Sequence, residues 1–469
     1  MDPLSAGGAA WLRAEFTGAE LGDKRRTKRL AKVAAGMAES PRGTIHGSLP
    51  TWAESKGAYR LLDRPEVTHE SVLAVHRQHT VERCQVAAEV LLIEDTSTLN
   101  YNTHTATKGL GRIGDDSSQG LHLHSTLACA VKGWAEDGEP QVVALGLFEQ
   151  NCWARTTPTV GRGKEKRFSR WKRARESERW AATFAKRGGP APGARWTYIA
   201  DRESDVYEAP LKCKAAGVDF IIRANQPRAL EAQGGSLFEA VAAAPVLGYF
   251  ELALRARPGQ RARRAKVEVR AVSVTLSGPK RAGGRLPPLA VNLVQAREVE
   301  ARPDVKEPIQ WVLLTSWPIT NFVCALRVVK AYASRWLIEE FHKALKSGAN
   351  VEKSQLEDVQ RLLPLIAILS VVAVWLLNLK LAAQTTPGAP VAEQALPQEA
   401  QEVLAHKVGQ PPGGWTHLAA LVAIAKLGGF LGRKHDGTPG WQSIWRGWQR
   451  LMLIAEGVRL AREWSLKCG

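Results

Sequence analysis

Apolar residues in this chain fall into three kinds of run. The first is strand-like, either alternating or continuous over a few positions. Val90-Leu91-Leu92-Ile93 and Trp196-Thr197-Tyr198-Ile199-Ala200 are of this kind, as expected of strands buried on both faces. Such runs predict strands near 90–94, 122–132, 141–148, 196–200 and 218–223. Four more are predicted in YFELALRA, AKVEVRAVSVTL, LAVNLVQAREV and IQWVLLTSW, between 249 and 317. The second kind repeats at helical spacing. Leu30, Val33, Ala34 and Met37 recur behind Asp23, a candidate N-cap, with the basic residues outside the stripe. AYASRWLIEEFHKALKSG (331–348) reads as one helix, with Leu337, Phe341, Ala344 and Leu345 as its buried stripe. The third kind is the apolar run 362–379, flanked by Arg361 and Lys380 and long enough to cross a membrane. It contains Pro364, Ser370 and Asn378 and stands alone, so a fully buried core helix is the expectation and a membrane partner is not. Asp2, Arg13 and Glu15 interrupt the N-terminal stretch, which therefore does not read as a signal segment.

On one continuous 331–348 helix, at about 100° per residue, Tyr332, Arg335, Lys343 and Lys346 fall within roughly 40° of Glu339. One carboxylate then stands among three cations and a phenol. A solvated face laced by Arg335–Glu339–Lys343 ion pairs has the same spacing. The literal pattern Y-x2-R-x3-E-x6-K says more. It resembles the signature of the DDE transposases, in the hairpin-forming cut-and-paste insertion-sequence branch that includes the transposase of transposon five.

That resemblance implies an α/β fold with an RNase H-like mixed sheet, and two earlier aspartates, each at a strand end. IEDTSTLNY supplies Asp95 and ADRESD supplies Asp201. Either alone reads equally as a helix cap or turn former. Glu94, Glu203 and Asp205 are nearby acids that the pattern passes over, and are expected to be supporting or surface residues. In-line attack on a phosphodiester needs an activated water or 3′-hydroxyl and a stabilised leaving oxygen, which two Mg²⁺ ions about 3.5–4 Å apart supply. Mg²⁺ prefers oxygen ligands. The resemblance thus implies that Asp95, Asp201 and Glu339 are catalytic and hold two Mg²⁺, with Mn²⁺ as a substitute. It implies DNA contacts for Tyr332, Arg335 and Lys346, and Lys343 joins them by its place on the same face. Trp311 matches the position where the family stacks a flipped base, although a Trp in an apolar strand also suits a core. Arg223 matches another basic residue. Two positions later the family usually carries Lys, and here Asn225 stands instead.

Charge supports a polyanion partner: 64 Lys and Arg against 46 Asp and Glu give a net charge of +18. Basic residues cluster in DKRRTKRLAK, at 161–175 and at 255–266, with Trp171 and Trp180 interleaved. LGDKRRTKRL and GAYRLLDRPEV resemble the family's N-terminal end-binding domain, which makes Arg25, Arg26 and Arg29 candidates for DNA contact. The six cysteines have no CxxC spacing, which argues against a disulfide framework or a structural zinc site and for a reducing compartment. His122 with His124, and His76 with His79, lack matching metal-ligand partners. GRGK at 161–164 lacks Walker A spacing, so no nucleotide cofactor is expected.

The chain divides on this reading into an N-terminal helical end-binding domain at 1–70, an RNase H-like catalytic domain at 71–372 and a C-terminal helical dimerisation domain at 373–469. A β-rich insertion is expected at 224–316, and a Pro-, Ala- and Gln-rich linker at 384–412. The implied partners are double-stranded DNA, as inverted-repeat ends and as target, and a second copy of the chain in the DNA complex. The implied location is the bacterial cytoplasm, at the nucleoid. The implied activity is excision through a DNA hairpin followed by joining of the 3′ ends to target DNA. Two other readings share the same residues: a catalytically silent, transposase-derived inhibitor, and a stand-alone metal-dependent nuclease.

Overall fold

The computed structural model describes residues 7–40, 44–114, 117–155, 187–231, 234–254, 263–281, 283–301, 305, 307–392, 395–433 and 436–468. The basic run at 161–175 with Trp171 and Trp180, and most of the run at 255–266, lie outside them. A mixed sheet forms the centre. Its first six strands are β1 (Glu89–Asn100), β2 (Gly111–Ile113), β3 (Ser118–Trp134), β4 (Pro140–Trp153), β5 (Arg195–Ala200) and β6 (Asp219–Arg223). β1, β5 and β6 run parallel, and β3 lies antiparallel to β1 on the other side. All five strands expected here are present, and β1, β3 and β4 are longer than expected.

The stretch expected as an insertion supplies β7 (Val246–Leu254), β8 (Arg263–Leu276), β11 (Leu289–Val299) and β12 (Gln310–Thr315), besides a small pair, β9 (Lys280–Arg281) and β10 (Gly284–Arg285). Its four main strands do not stand apart. β12 pairs with β6, so one ten-stranded sheet runs β2-β3-β1-β5-β6-β12-β11-β8-β7, with β4 also paired to β3.

Period-2 alternation divides the strands between two cores. Leu91, Ile93 and Ile199 face one core, Val90, Leu92, Trp196 and Tyr198 the other. The second core is closed by α5 (Glu208–Ala215) and α6 (Leu237–Ala243). The first is larger. It takes in α1 (Gly8–Phe16), α2 (Lys24–Glu39), α3 (Trp52–Leu62), α4 (His69–Gln85), α7 (Phe322–Ala333), α8 (Trp336–Lys343), α9 (Val359–Thr385), α10 (Gln398–Val408), α11 (His417–Leu427) and α12 (Trp441–Cys468). The result is an RNase H-like α/β core flanked by N- and C-terminal helices.

Helix α9 contains the long apolar run. By length and composition it qualifies to cross a membrane, yet 89% of its most apolar window is buried inside the fold, against β4 and α4. Its one buried amide is matched: Asn378 Nδ2 donates to the Ala144 carbonyl at 2.9 Å, and the Ala144 N–H donates back to Oδ1 at 3.0 Å. Satisfied in this way, Asn378 costs the core little. The divisions expected at 70 and 372 fall inside α4 and inside α9, so the backbone passes through both in continuous helix.

In α2, Asp23 accepts the Arg25 N–H at 2.7 Å, and Leu30, Val33, Ala34 and Met37 are buried, as the pattern required. α1 docks onto α4 through charge. Glu15 accepts two hydrogen bonds from Arg83, at 2.7 and 3.1 Å, and contacts His76 Nδ1 at 2.5 Å. His76 Nε2 accepts the Leu147 N–H at 3.1 Å, which puts the imidazole proton on Nδ1 and aims it at Glu15. Gly146 permits this approach of α4 to β4, since a Cβ there would lie 2.1 Å from Thr80 Oγ1.

Burial pushes the pKa of both His69 and His76 down, His69 to about 4, where Gln150, 3.2 Å away, only partly offsets it. The unfolded chain therefore takes up protons at these residues below about pH 6.5, while the folded chain does not until lower pH. Stability is full above pH 6.5 and is lost as the pH falls towards 4, by about 3 kcal/mol for His69 alone. The melting temperature should drop across that window. In His69→Gln the drop should be shallower, and an unchanged slope would contradict the assignment.

Candidate active site

The parallel pairing of β1 with β5 builds the first half of the site. Ile93 is paired with Ile199, and Asp95 and Asp201 each lie two residues further on, towards the same face of the sheet. Only Asp201 follows a strand end. Asp95 lies within β1, because β3 continues the pairing as far as Asn100–Gly120 after β5 has stopped. Asp201 also caps the short turn Arg202–Ser204, accepting the Glu203 N–H at 2.8 Å. Asp95 Oδ1 accepts the neighbouring Thr96 N–H at 2.8 Å.

The second half comes from 331–348, which is not one helix. α7 ends at Ala333, a tight turn passes through Ser334 and Arg335, α8 follows, and Ala344–Gly348 widens into a π turn. Bonds across three residues close the junction, with the Arg335 N–H donating to Tyr332 at 2.9 Å and the Leu337 N–H to Ser334 at 2.9 Å. Ser334 Oγ also donates back to the Lys330 carbonyl at 3.3 Å. Phe341, Ala344 and Leu345 are buried as expected, but Leu337 is half-buried and Ile338 takes the core position. The junction brings Arg335 to Asp95 Oδ2 at 3.2 Å and to Glu339 Oε1 at 2.5 Å.

One guanidinium thus joins carboxylates from β1 and α8. Burial pushes the Asp95 carboxyl up to about 6; Arg335 opposes this, and Asp201 and Glu339 add to it. Burial alone would lower Arg335, but the charges of Asp95, Glu339 and Asp201 and the Tyr332 phenol outweigh it. The donor set suits a hard divalent cation, being three carboxylates on separate elements whose mutual repulsion calls for positive charge. Among the described residues no three side chains already stand at metal-holding spacing, and Arg335 is the cation between two of these.

Around this centre, Tyr332 is buried and packs edge-on against the half-buried Trp311, with ring centres 5.2 Å apart. Burial raises its pKa while the Arg335 and Arg223 charges lower it, and Arg223 also hydrogen-bonds it. Arg223, opposite Leu313 on β12, donates to the Gln310 carbonyl at 3.3 Å. Burial lowers the Lys346 pKa, against the pull of Glu352 and Asp95. Lys343 turns elsewhere. It is exposed, 3.2 Å from Glu340 and 4.1 Å above the Trp336 ring; it stays one turn from Glu339 on α8 but pairs with Glu340 instead. Asn225 is exposed, and its N–H donates to Asp205 at 2.6 Å.

The passed-over acids have other partners. Glu94 is buried and accepts the Tyr198 hydroxyl at 2.6 Å; Asp205 is buried and holds the 225–228 loop; Glu203 is exposed. The sequence reading missed Glu340, which holds four donors (described below), and whose only signal was its place in the doublet Glu339-Glu340. In the N-terminal helices, Arg25 and Arg29 are exposed. Arg26 is half-buried, donating to the Leu21 carbonyl at 2.9 Å and pairing with Glu66 at 3.0 Å.

Residues 8–67 match a family model described as transposase DNA-binding, and residues 403–468 match one described as the transposase Tn5 dimerisation domain. Both matches, one towards each end of the chain, support a Tn5-like transposase. The DNA-binding match includes Arg25, Arg26 and Arg29, the dimerisation match includes α11 and α12, and the three carboxylates lie between the two. Arg25 and Arg26 should behave differently. Arg25→Ala should weaken binding to DNA and lower the salt slope by about one unit, with little effect on melting. Arg26→Ala should lower the melting temperature, because it removes the Leu21 and Glu66 contacts. Gel shifts at several salt concentrations, beside melting curves, would reveal equal behaviour if this division were wrong.

Proposed function

We propose that this transposase cuts DNA at the inverted-repeat ends of its element, through a hairpin intermediate, and joins the freed 3′ ends to target DNA. The observation that carries this reading is the meeting of Asp95 and Glu339 on Arg335, with Asp201 level with Asp95 just past the end of the neighbouring strand. Asp95, Asp201 and Glu339 would hold Mg²⁺, or Mn²⁺ in its place. When bound, the metal supplies activation of the attacking water or 3′-hydroxyl and charge neutralisation at the leaving oxygen. Arg335 and Lys346 supply charge for phosphate beside Asp95. Trp311, Tyr332 and Arg223 offer an aromatic and basic platform for a base that leaves the stack at a strained duplex end. Arg25 and Arg29 present exposed charge to the ends. Two copies of the chain would assemble across a pair of ends.

Asp95→Ala, Asp201→Ala and Glu339→Ala should each abolish cleavage while leaving end binding within a few-fold, since removing one ligand disables the metal site. A supercoiled donor plasmid carrying two ends, incubated with Mg²⁺, gives the readout. Hairpin and integration products would exclude a simple nuclease and a silent inhibitor. Robust cutting by any of the three variants would sink the site assignment.

Trp311→Ala should leave first-strand nicking nearly intact and slow hairpin formation roughly 5- to 150-fold, the rate equivalent of about 1–3 kcal/mol of lost stacking. If Trp311 serves only the core, truncation instead costs about 3–5 kcal/mol of stability. Early melting with loss of both steps together would then be seen.

A further inference from the structure

Glu340 follows Glu339 directly, so on α8 its side chain points about 100° away from it, into the protein. It is buried. Its Oε2 accepts from Lys380 Nζ at 2.5 Å and from Trp441 Nε1 at 2.9 Å. Its Oε1 accepts from Trp336 Nε1 and from Lys343 Nζ, both at 3.2 Å. One carboxylate therefore joins α8 to α9, through Lys380, and to the first turn of α12, through Trp441. Burial alone would raise its pKa, but Lys380, Lys343 and Trp441 hold it down to about 2. Lys380 Nζ also lies 4.7 Å from the centre of the Trp441 ring.

A second contact lies one turn along α12. Trp445 stacks on Trp441, with centres 5.5 Å apart and planes at 14°. It also lies against Gly348, the last residue of the π turn, where a Cβ would come within 2.5 Å of Trp445 Nε1. Only a glycine lets the backbone approach so closely. The opening turns of α12 thus grip the Glu339–Lys346 segment at both ends, at Glu340 and two residues beyond Lys346. A buried ion pair seldom adds more stability than apolar residues of the same volume. Its clearer consequence here is a fixed orientation between three elements.

We propose that Glu340, Lys380 and Trp441 are positioning residues, through which α12, in the region matched to transposase dimerisation, sets the placement of Glu339 and Lys346. The active-site geometry then depends on α12 being seated, so rearrangement of the C-terminal region on assembly reaches the carboxylates. This rests on the reading of Glu339 as a metal ligand, but the clamp can be tested without catalysis.

The test uses the full chain with Trp441→Phe, which keeps the ring and removes the N–H donor, Lys380→Met, which removes the charge, and Lys380→Arg, which keeps it. Hydrogen exchange of amides 336–348 is measured beside exchange in β1 and β5, melting, end binding, and the Mg²⁺ dependence of nicking. In Trp441→Phe and Lys380→Met, exchange at 336–348 should rise about tenfold, the equivalent of one hydrogen bond to a charged group. Exchange in β1 and β5 and affinity for ends should stay unchanged. Nicking should slow by a similar factor and require several-fold more Mg²⁺, and Lys380→Arg should restore both. Wild-type exchange at 336–348 in both variants overturns the proposal, and so does a rise spread evenly over the protein. A wild-type chain that does not nick in Mg²⁺ would defeat the catalytic reading instead, while the exchange data would still decide the clamp.

Discussion

Carboxylates gathered in one place repel one another, and they stay gathered only where positive charge stands among them. Arg335 is that charge for Asp95 and Glu339. Much of the fold serves to bring it there. The parallel register of β1 and β5 sets Asp95 level with Asp201, and the turn at Ser334–Arg335 swings the guanidinium across to β1. Without that turn, Arg335 would sit on an uninterrupted helix with Glu339 as an ordinary surface pair, worth a few tenths of a kcal/mol (about 0.2–0.5). Joined to a partly buried aspartate on another element, it fixes the relation of helix to sheet.

The same economy appears at the back of α8. Glu339 holds Arg335, which reaches Asp95 on the sheet, and Glu340 faces the C-terminal helices, so Arg335 and Glu340 tie one short helical segment to opposite halves of the molecule. The sheet itself is continuous from the core strands into β12, β11, β8 and β7. Trp311 and Arg223 consequently reach the Tyr332 end of the site on neighbouring strands of one sheet.

Much of this was legible in the sequence, and the parts that were not have physical reasons. Strand positions followed from β-branched runs buried on both faces, and Asp23 and the α2 stripe from simple capping and periodicity. The two aspartates and the Tyr332–Lys346 spacing emerged from a pattern, not from composition. Periodicity could not see the break at Arg335, because Ser and Arg both tolerate helix and the turn is closed by three-residue bonds. Nor does spacing choose the partner of Lys343, which lies one turn from both Glu339 and Glu340 and pairs with Glu340. Asp95 was expected at a strand end because local sequence carries no sign of the long antiparallel partner β3 that carries β1 on to Asn100. Glu340 was invisible for a similar reason: its partners Lys380 and Trp441 lie 40 and 101 residues away.

The central claim is that Asp95, Asp201 and Glu339 form one cation-binding centre that Arg335 bridges. Anomalous scattering at the manganese edge from Mn²⁺-soaked crystals tests it most directly. The expected result is ordered manganese ligated by oxygens of all three carboxylates, with the Arg335 side chain turned away from Glu339. Manganese bound elsewhere, or absent at saturating concentration while Arg335 still pairs with Asp95 and Glu339, would contradict it.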